Sequence, residues 1–373
     1  MKVGIVGAGF SGLLSALKIA KYMDVEVFEE HARIGYPRHC TGLVSEYVFN
    51  YLGSEVGECT LNSFNRYIVR HVSRPNDEIE LRFKERVYLI DRPKAEQYFA
   101  DVVQSYGGII YLSHGVKSVD ARDTSISLMD GSKKRYDLII LAEGSRANIV
   151  RKLGLCREIK YLIGVQAVLR VQNELDHPYV LFGDDLSNEF FGWLVPIDEK
   201  NLIAGLADAV EPYNKLKRLI SRYLRQFLNA SQLSYEITEI FGGLIPMSKP
   251  CNQVINKVIG LGDAVSVTKP LSGGGIYGIY RQVRELESLK SLCSPEDLVK
   301  EYSSRVKRLL HELRLQHLIK DLINRKFNSI NNLILRIIDS RINCIKVVDY
   351  DKLVIGPSEI LKVLKLITLS VYN

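Results

Sequence analysis

Cysteine is sparse in this sequence and never paired at short spacing: Cys40, Cys59, Cys156, Cys251, Cys293 and Cys344 stand far apart, and no CxxC occurs. That scatter excludes a zinc ribbon and a dense secreted disulfide framework, and it reads as six thiols kept in a reducing cytoplasm. Pro-rich, Gly/Ser-rich and single-letter tracts are lacking, as are internal repeats, so neither a disordered linker nor a solenoid is expected. No apolar run reaches the roughly 18 residues that a spanning helix needs, because Lys or Arg interrupts every candidate after residue 300. The apolar opening, residues 1–20, does not read as a signal peptide, since its glycine spacing and its strand and helix periods describe the start of a fold. No metal-ligand spacing is found.

What is present is a chain of 373 residues, too long for one typical domain. The formal charge is +7, and between Arg281 and Lys346 there are 14 Lys and Arg against 8 Asp and Glu. A basic face there could meet an anionic lipid surface, while a solvated helical surface is the plainer reading. No RNA-recognition motif accompanies the charge, and nucleic acid is not expected as a partner.

Residues 2–6 (KVGIV) form a β-branched run, then come a glycine-rich turn, a helix to about Met23 and a second strand at Val25–Glu30, a βαβ opening. RVYLIDR at 86–92 reads as a strand, with Pro93 starting a helix to about Tyr106. The following segments suggest a meander with a turn at Asp130-Gly131, ending in the strand Leu138–Ala142. From Cys156 to Pro250 the pattern changes to alternating strands with one helix near Lys215–Leu228, a mostly antiparallel insert. The strand Lys257–Ala264 returns to the first domain. Beyond it the pattern is helical, with Val306, Leu309, Leu310 and Leu313 on one face, better suited to packing on the domain than to lipid.

The chemistry-bearing motif at the start is Gly7-Ala8-Gly9-Phe10-Ser11-Gly12, a GxGxxG between strand and helix. The first glycine permits a tight turn, the second lets backbone approach a pyrophosphate, and the third allows close helix packing. Glu29, about 20 residues on at the end of the second strand, suits an adenosine ribose. This motif does not separate FAD from NAD. Gly262-Asp263-Ala264 followed by Pro270-Leu271-Ser272-Gly273-Gly274-Gly275-Ile276 does: an Asp at a strand end suits ribityl hydroxyls, and a glycine-rich helix start directs amides at the flavin edge where reduction builds negative charge.

On GAGFSG, HCTGLVS (39–45), IDR (90–92), DLIILAEG (137–144), FGWLVP (191–196) and GDA…PLSGGGI (263–276), the chain resembles the geranylgeranyl reductase family, within the flavoproteins of the para-hydroxybenzoate hydroxylase fold, over about its first 290 residues. The resemblance implies an α/β fold with four parts: an FAD-binding Rossmann-like domain at 1–155, an inserted antiparallel substrate domain at 156–250, a return segment at 251–290 and a C-terminal helical region at 291–373. It places Gly7, Gly9, Ser11 and Gly12 at the pyrophosphate, Glu29 at the ribose, and Cys40, Thr41 and Leu43 in a loop beside the flavin. Arg92 falls at the diphosphate or ribityl region, Val116 at the adenine side, and Asp263, Gly273, Gly274, Gly275 and Ile276 around ribityl and isoalloxazine. Phe191, Trp193 and Pro196 belong to a substrate stretch, with Phe190 and Leu194 as further lining.

Three departures from the family pattern stand out. The loop at 39–45 has less glycine, Glu143 and Ala147 stand where Asp and Ser are usual in one cofactor-contacting segment, and Val195 replaces a Phe.

The activity this implies is saturation of isoprenoid double bonds on a prenylated lipid or polyprenyl diphosphate, by an enzyme acting on CH–CH groups in the cytoplasm or peripherally on an anionic membrane. NAD(P)H or ferredoxin, through a reductant protein, is the electron donor, and Cys40 or water is the proton donor. A flavin monooxygenase or halogenase is the first alternative and a non-catalytic flavin-binding redox protein the second.

Overall fold

Lys2–Val6 is apolar and β-branched, and all of it beyond Lys2 is buried, as a strand covered on both faces must be. Gly7, at a positive φ of 97°, turns the chain into the helix Phe10–Ile19, and Asp24–Phe28 returns beside the first strand in parallel. The structure, a computed structural model, describes residues 1–172, 175–227, 234–352 and 354–355.

Two sheets organise the chain. The first has six strands in the order Val254–Ile255, Val258–Gly260, Leu138–Leu141, Lys2–Val6, Asp24–Phe28, Ile109–Tyr111. All neighbours are parallel except the outer hairpin at 254–260. Helices Phe10–Ile19, Arg92–Ser105 and Ile276–Glu287 pack together on it. Leu13, Leu14 and Ile19 of the first helix have no exposed surface; each is worth about 2 kcal/mol of burial. A three-stranded antiparallel layer, Val116–Asp120, Ser125–Leu128 and Lys133–Arg135, includes the expected turn at Asp130-Gly131.

The second sheet has ten strands: Tyr235–Pro246, Tyr161–Val171, Asn201–Asp208, Gly192–Pro196, Tyr179–Phe182, Thr60–His71, Arg74–Ile90, Cys344–Asp349 and Val354–Ile355 in order, with Leu43–Ser45 paired off the path to Arg74–Ile90. The boundaries 156–250 are therefore too narrow for this layer. The long hairpin of 60–90 supplies two of its strands, because its alternating residues bury one face against the insert's Val195, Ile203 and Phe241. The C-terminal region is not wholly helical either: after Pro295–Phe327 and Ile330–Asp339 the β-branched run Cys344–Asp349 joins this sheet, parallel to the hairpin's second strand. Its expected helical part beyond 355 lies outside the described residues, as does Leu228.

Local corrections follow from hydrogen bonding that periodicity does not register. The strand expected at 86–92 is the end of Arg74–Ile90, and Arg92 already opens the helix, capped by the Asp91 carboxylate accepting from the Lys94 amide. Ile109–Tyr111 and Val116–Asp120 belong to different sheets and form no meander with each other. The strand expected at 257–264 ends at Gly260 and gives way to a 3-10 turn, Gly262–Val265.

Cys156 and Cys251 are joined by a disulfide, with Cα atoms 5.2 Å apart. This corrects the reading of six thiols. Their separation of 95 residues carries no local signal; they meet because the chain leaves the nucleotide sheet at one and returns at the other. Val306, Leu309, Leu310 and Leu313 are buried on the domain, as the packing reading had it.

Candidate functional site

The N-terminal loop separates two kinds of glycine. A Cβ on Gly7 would lie 2.4 Å from the Ala142 carbonyl oxygen, and one on Gly12 only 1.9 Å from the Gly7 carbonyl oxygen, so the fold itself demands both. Gly9 is different. Its φ of −78° suits any residue and no protein atom lies within 4 Å of a Cβ there. Glycine at this position leaves room for something outside the chain, at the N-terminus of a ten-residue helix, where amides and dipole favour an anion. Ser11 faces the same junction, and Glu29 ties the loop from below: its Oε2 accepts from the Ala8 amide at 2.7 Å, and its Oε1 from the His31 amide at 2.9 Å. His31 Nδ1 sits 2.7 Å from that same Oε1. The amide of His114 donates to the Glu29 carbonyl, which wraps the loop leading to Val116 around the end of the strand. Gly115 lies just before Val116, and its Cβ would come within 3.8 Å of Glu30 Cβ. Val116 thus stands beside the strand end that carries Glu29.

The return segment closes on the same loop. Gly262 has φ +66°, and a Cβ there would meet Ser11 Oγ at 3.1 Å, so motifs about 250 residues apart in sequence touch. Buried Gln282 holds this turn, its Oε1 accepting from the Gly262 amide at 2.8 Å. The Asp263 carboxylate accepts from Thr268 Oγ1 at 3.1 Å through Oδ1 and makes no other side-chain hydrogen bond among the described residues. Burial holds its carboxyl above the usual range, against the pull of Thr268, Arg92 and His39. Each of the three following glycines has a neighbour where a side chain would go: Phe190 for Gly273, Lys269 for Gly274 and Asp263 Oδ1 for Gly275. Ile276 then begins the helix, buried.

Above this loop stand the aromatics of the insert. Phe190 and Phe191 stack at 4.1 Å, and Phe191 meets Trp193 edge-on at 6.1 Å. Gln166 joins them to the 39–43 loop: its Oε1 accepts from Thr41 Oγ1 at 2.5 Å and from Trp193 Nε1 at 3.1 Å, and its Nε2 donates to the His39 carbonyl at 3.3 Å. Leu43 begins the short strand paired with Leu89. Leu194 is fully buried in the insert's core. Pro196 is not brought to the glycine loop. It lines an open depression of about 660 Å³ with Asn62, Asp198 and Asn201, at the other end of its strand.

The charged groups complete the floor. Arg92 donates from Nε to Glu96 Oε1 at 2.7 Å, and Cys40 reaches the same guanidinium. Burial works against the Arg92 charge, but Glu96 and Cys40 hold it above its ordinary value, while burial pushes the more enclosed Glu96 carboxyl up. Lys269 Nζ pairs with Asp351 Oδ1 at 2.8 Å, both almost wholly buried. Glu143 acts locally. Its two oxygens accept from the amides of Ile149 and Val150 and cap the helix Asn148–Lys152, and burial raises its carboxyl.

Sequence reading missed Gln166, Glu96, Gln282 and Lys269. A lone Gln inside the apolar strand LIGVQAVLRV and a Glu four residues after Arg92 were available signals; the Lys269 partner, 82 residues away, was not.

Residues 5–58 match the family described as NAD(P)-binding Rossmann-like domain. Digeranylgeranylglycerophospholipid reductase 2 of Methanothermobacter thermautotrophicus is 24% identical over 297 residues, 74% of each chain. An uncharacterised protein of Methanocaldococcus jannaschii is 26% identical over 289 residues, 74% of this chain and 71% of its own. Among solved structures, a geranylgeranyl bacteriochlorophyll reductase-like protein from Thermoplasma acidophilum has a TM-score of 0.77 at 18% identity, covering 97% of this chain and 95% of that one. The flavin-dependent halogenase CmlS has a TM-score of 0.64 at 17% identity, covering 94% and 69%. By sequence this chain is similar to proteins named digeranylgeranylglycerophospholipid reductase, and by fold to a geranylgeranyl bacteriochlorophyll reductase-like protein and to flavin-dependent halogenases.

Proposed function

We propose that the chain is an FAD-dependent reductase that saturates isoprenoid double bonds of geranylgeranyl chains, carried by a membrane ether-lipid precursor such as digeranylgeranylglycerophospholipid or by geranylgeranyl diphosphate. The observation that carries this reading is the closure of Gly262 onto Ser11 of the first glycine turn, with Asp263 Oδ1 against Gly275 and Phe190, stacked on Phe191, against Gly273 of the second glycine loop. When bound, FAD supplies a hydride to one alkene carbon.

The chain's own residues do the rest. Gly9 leaves space in which a pyrophosphate would sit, the Asp263 carboxylate would hold ribityl hydroxyls, and the N-terminus of Ile276–Glu287 would stabilise negative charge at the flavin edge. Phe190, Phe191 and Trp193 exclude water and offer an apolar wall to a prenyl chain. Cys40 Sγ delivers the proton to the second alkene carbon and is reprotonated from water, with Arg92 beside it to hold the transient charge. NAD(P)H or a ferredoxin-like protein supplies the electrons.

The test is anaerobic. Protein reduced with dithionite is mixed with digeranylgeranylglycerophospholipid or geranylgeranyl diphosphate, and flavin reoxidation is followed with the mass of the lipid. Reoxidation with the gain of two hydrogens per double bond is expected. Flavin that stays reduced with both lipids but reoxidises with oxygen and an aromatic compound would replace this reading with a monooxygenase or halogenase, whose fold the chain also shares.

A further inference from the structure

The helix Pro295–Phe327 carries a second apolar stripe that the domain does not cover. Leu315, Leu318, Ile319 and Leu322 follow i, i+3, i+4, i+7 spacing and are 57%, 54%, 39% and 54% exposed. They share one face over about 10 Å of helix, and no described residue packs over them. Exposed single leucines are ordinary, but four on consecutive turns make a continuous patch.

The charges on that face decide the partner. Arg308 lies seven residues before Leu315, and Arg325 and Lys326 lie seven after Leu318 and Ile319, so cations bracket the stripe at both ends, with Arg314 along its side. All four are exposed, and none forms an ion pair or side-chain hydrogen bond among the described residues. Of the nearby acids, Glu312 is tied to Arg281 and Asp321 alone flanks the stripe. A second copy fits poorly: two such stripes packed antiparallel would set Arg308 of one against Arg325 and Lys326 of the other. Aliphatic side chains framed by unpaired cations match the apolar boundary and anionic headgroups of a phospholipid surface.

We propose that residues 308–326 are the surface by which the protein lies on an anionic membrane. Lys320, on the opposite side of the same turns, has its Nζ 5.9 Å from the Phe190 ring. One helix thus separates the membrane face from the aromatic end of the site, an arrangement that would deliver a lipid substrate to it. Only that last consequence rests on the reductase reading.

The test uses the flavin-loaded full chain in co-sedimentation with vesicles of phosphatidylcholine alone or mixed equally with phosphatidylglycerol. The wild type should bind the mixed vesicles, less so as salt rises, and bind phosphatidylcholine weakly. Leu315→Ser/Leu318→Ser/Leu322→Ser should weaken binding at least about tenfold. Arg308→Gln/Arg325→Gln/Lys326→Gln should weaken it on the order of 100-fold. Both variants should keep their flavin absorbance and reduce detergent-dispersed lipid as the wild type does, while losing turnover of vesicle-borne lipid. Equal binding to the two vesicle types, undiminished binding of the leucine variant, or a wild-type dimer that the leucine substitutions dissolve would overturn the proposal. Vesicle binding without any lipid reduction would overturn the reductase reading and leave this one standing.

Discussion

Gly9→Ala and Gly12→Ala are nearly the same change three residues apart on one turn, and the structure assigns them opposite consequences. At Gly9 the backbone is already in an ordinary region and the new methyl meets no protein atom. Restricting the unfolded chain contributes roughly 0.4–1 kcal/mol of stability, and losing glycine at a helix N-cap costs about as much. The apo protein should therefore unfold within about 1–2 °C of the wild type. The same methyl projects where a pyrophosphate would accept amide hydrogen bonds. Losing two charge-assisted bonds at about 1.5–3 kcal/mol each predicts FAD affinity down by at least about 100-fold. At Gly12 the methyl would sit 1.9 Å from the Gly7 carbonyl oxygen, and overpacking there should cost about 3 kcal/mol or more before any cofactor is considered. Thermal unfolding of the apo proteins and a flavin fluorescence titration separate the two. A Gly9→Ala protein that binds FAD with wild-type affinity would refute the assignment of this loop to the dinucleotide.

Three further changes probe the frame around the site. Gln166→Leu leaves the Trp193 indole N–H and the Thr41 hydroxyl without their acceptor and should cost roughly 2–4 kcal/mol. Trp193 is the single tryptophan, so its emission reports the change directly. Burial opposes the Glu26 charge, but Lys2, Lys134 and Tyr136 hold its carboxyl down to about 2 from 4.5. A depressed folded value contributes stability that is complete above 4.5 and lost as pH falls towards 2, about 3 kcal/mol in all; acid unfolding of Glu26→Gln should lack that slope. Cys156→Ser/Cys251→Ser, or reduction of the wild type, should lower stability by about 3 kcal/mol. A melting temperature indifferent to reductant would show that the bond does not form.

The βαβ opening, the glycine loops and the insert's alternation were legible because each is local: a period, a turn residue or a cap lies within a dozen residues. Gly262 reaching Ser11 was legible only as a pair of motifs in the right order, since contact across 250 residues leaves no periodicity. Glu143, read as a departure at a cofactor position, turned out to cap a five-residue helix, its longer side chain reaching two amides at once. Pro196 lies three residues beyond Trp193, roughly 10 Å along the strand, and so lines the depression with Asn62 and Asn201 instead. Cys156 and Cys251 were illegible for the reason that governs every disulfide: geometry is decided by the fold and not by spacing.

The latest-made part of the described chain helps complete its earliest. The strand Cys344–Asp349 pairs with Arg74–Ile90, and Asp351 supplies the only carboxylate partner, among the described residues, of buried Lys269, whose stem lies against Gly274 in the second glycine loop. On a ribosome the GxGxxG turn emerges more than 300 residues before Asp351, which locks Lys269 beside the second glycine loop. Until Asp351 arrives, Lys269 carries an uncompensated charge into the interior, a state a few kcal/mol above the finished one. Cofactor capture should accordingly be a late event in the life of the polypeptide, and chains stalled before residue 344 should hold the nucleotide fold without holding the flavin.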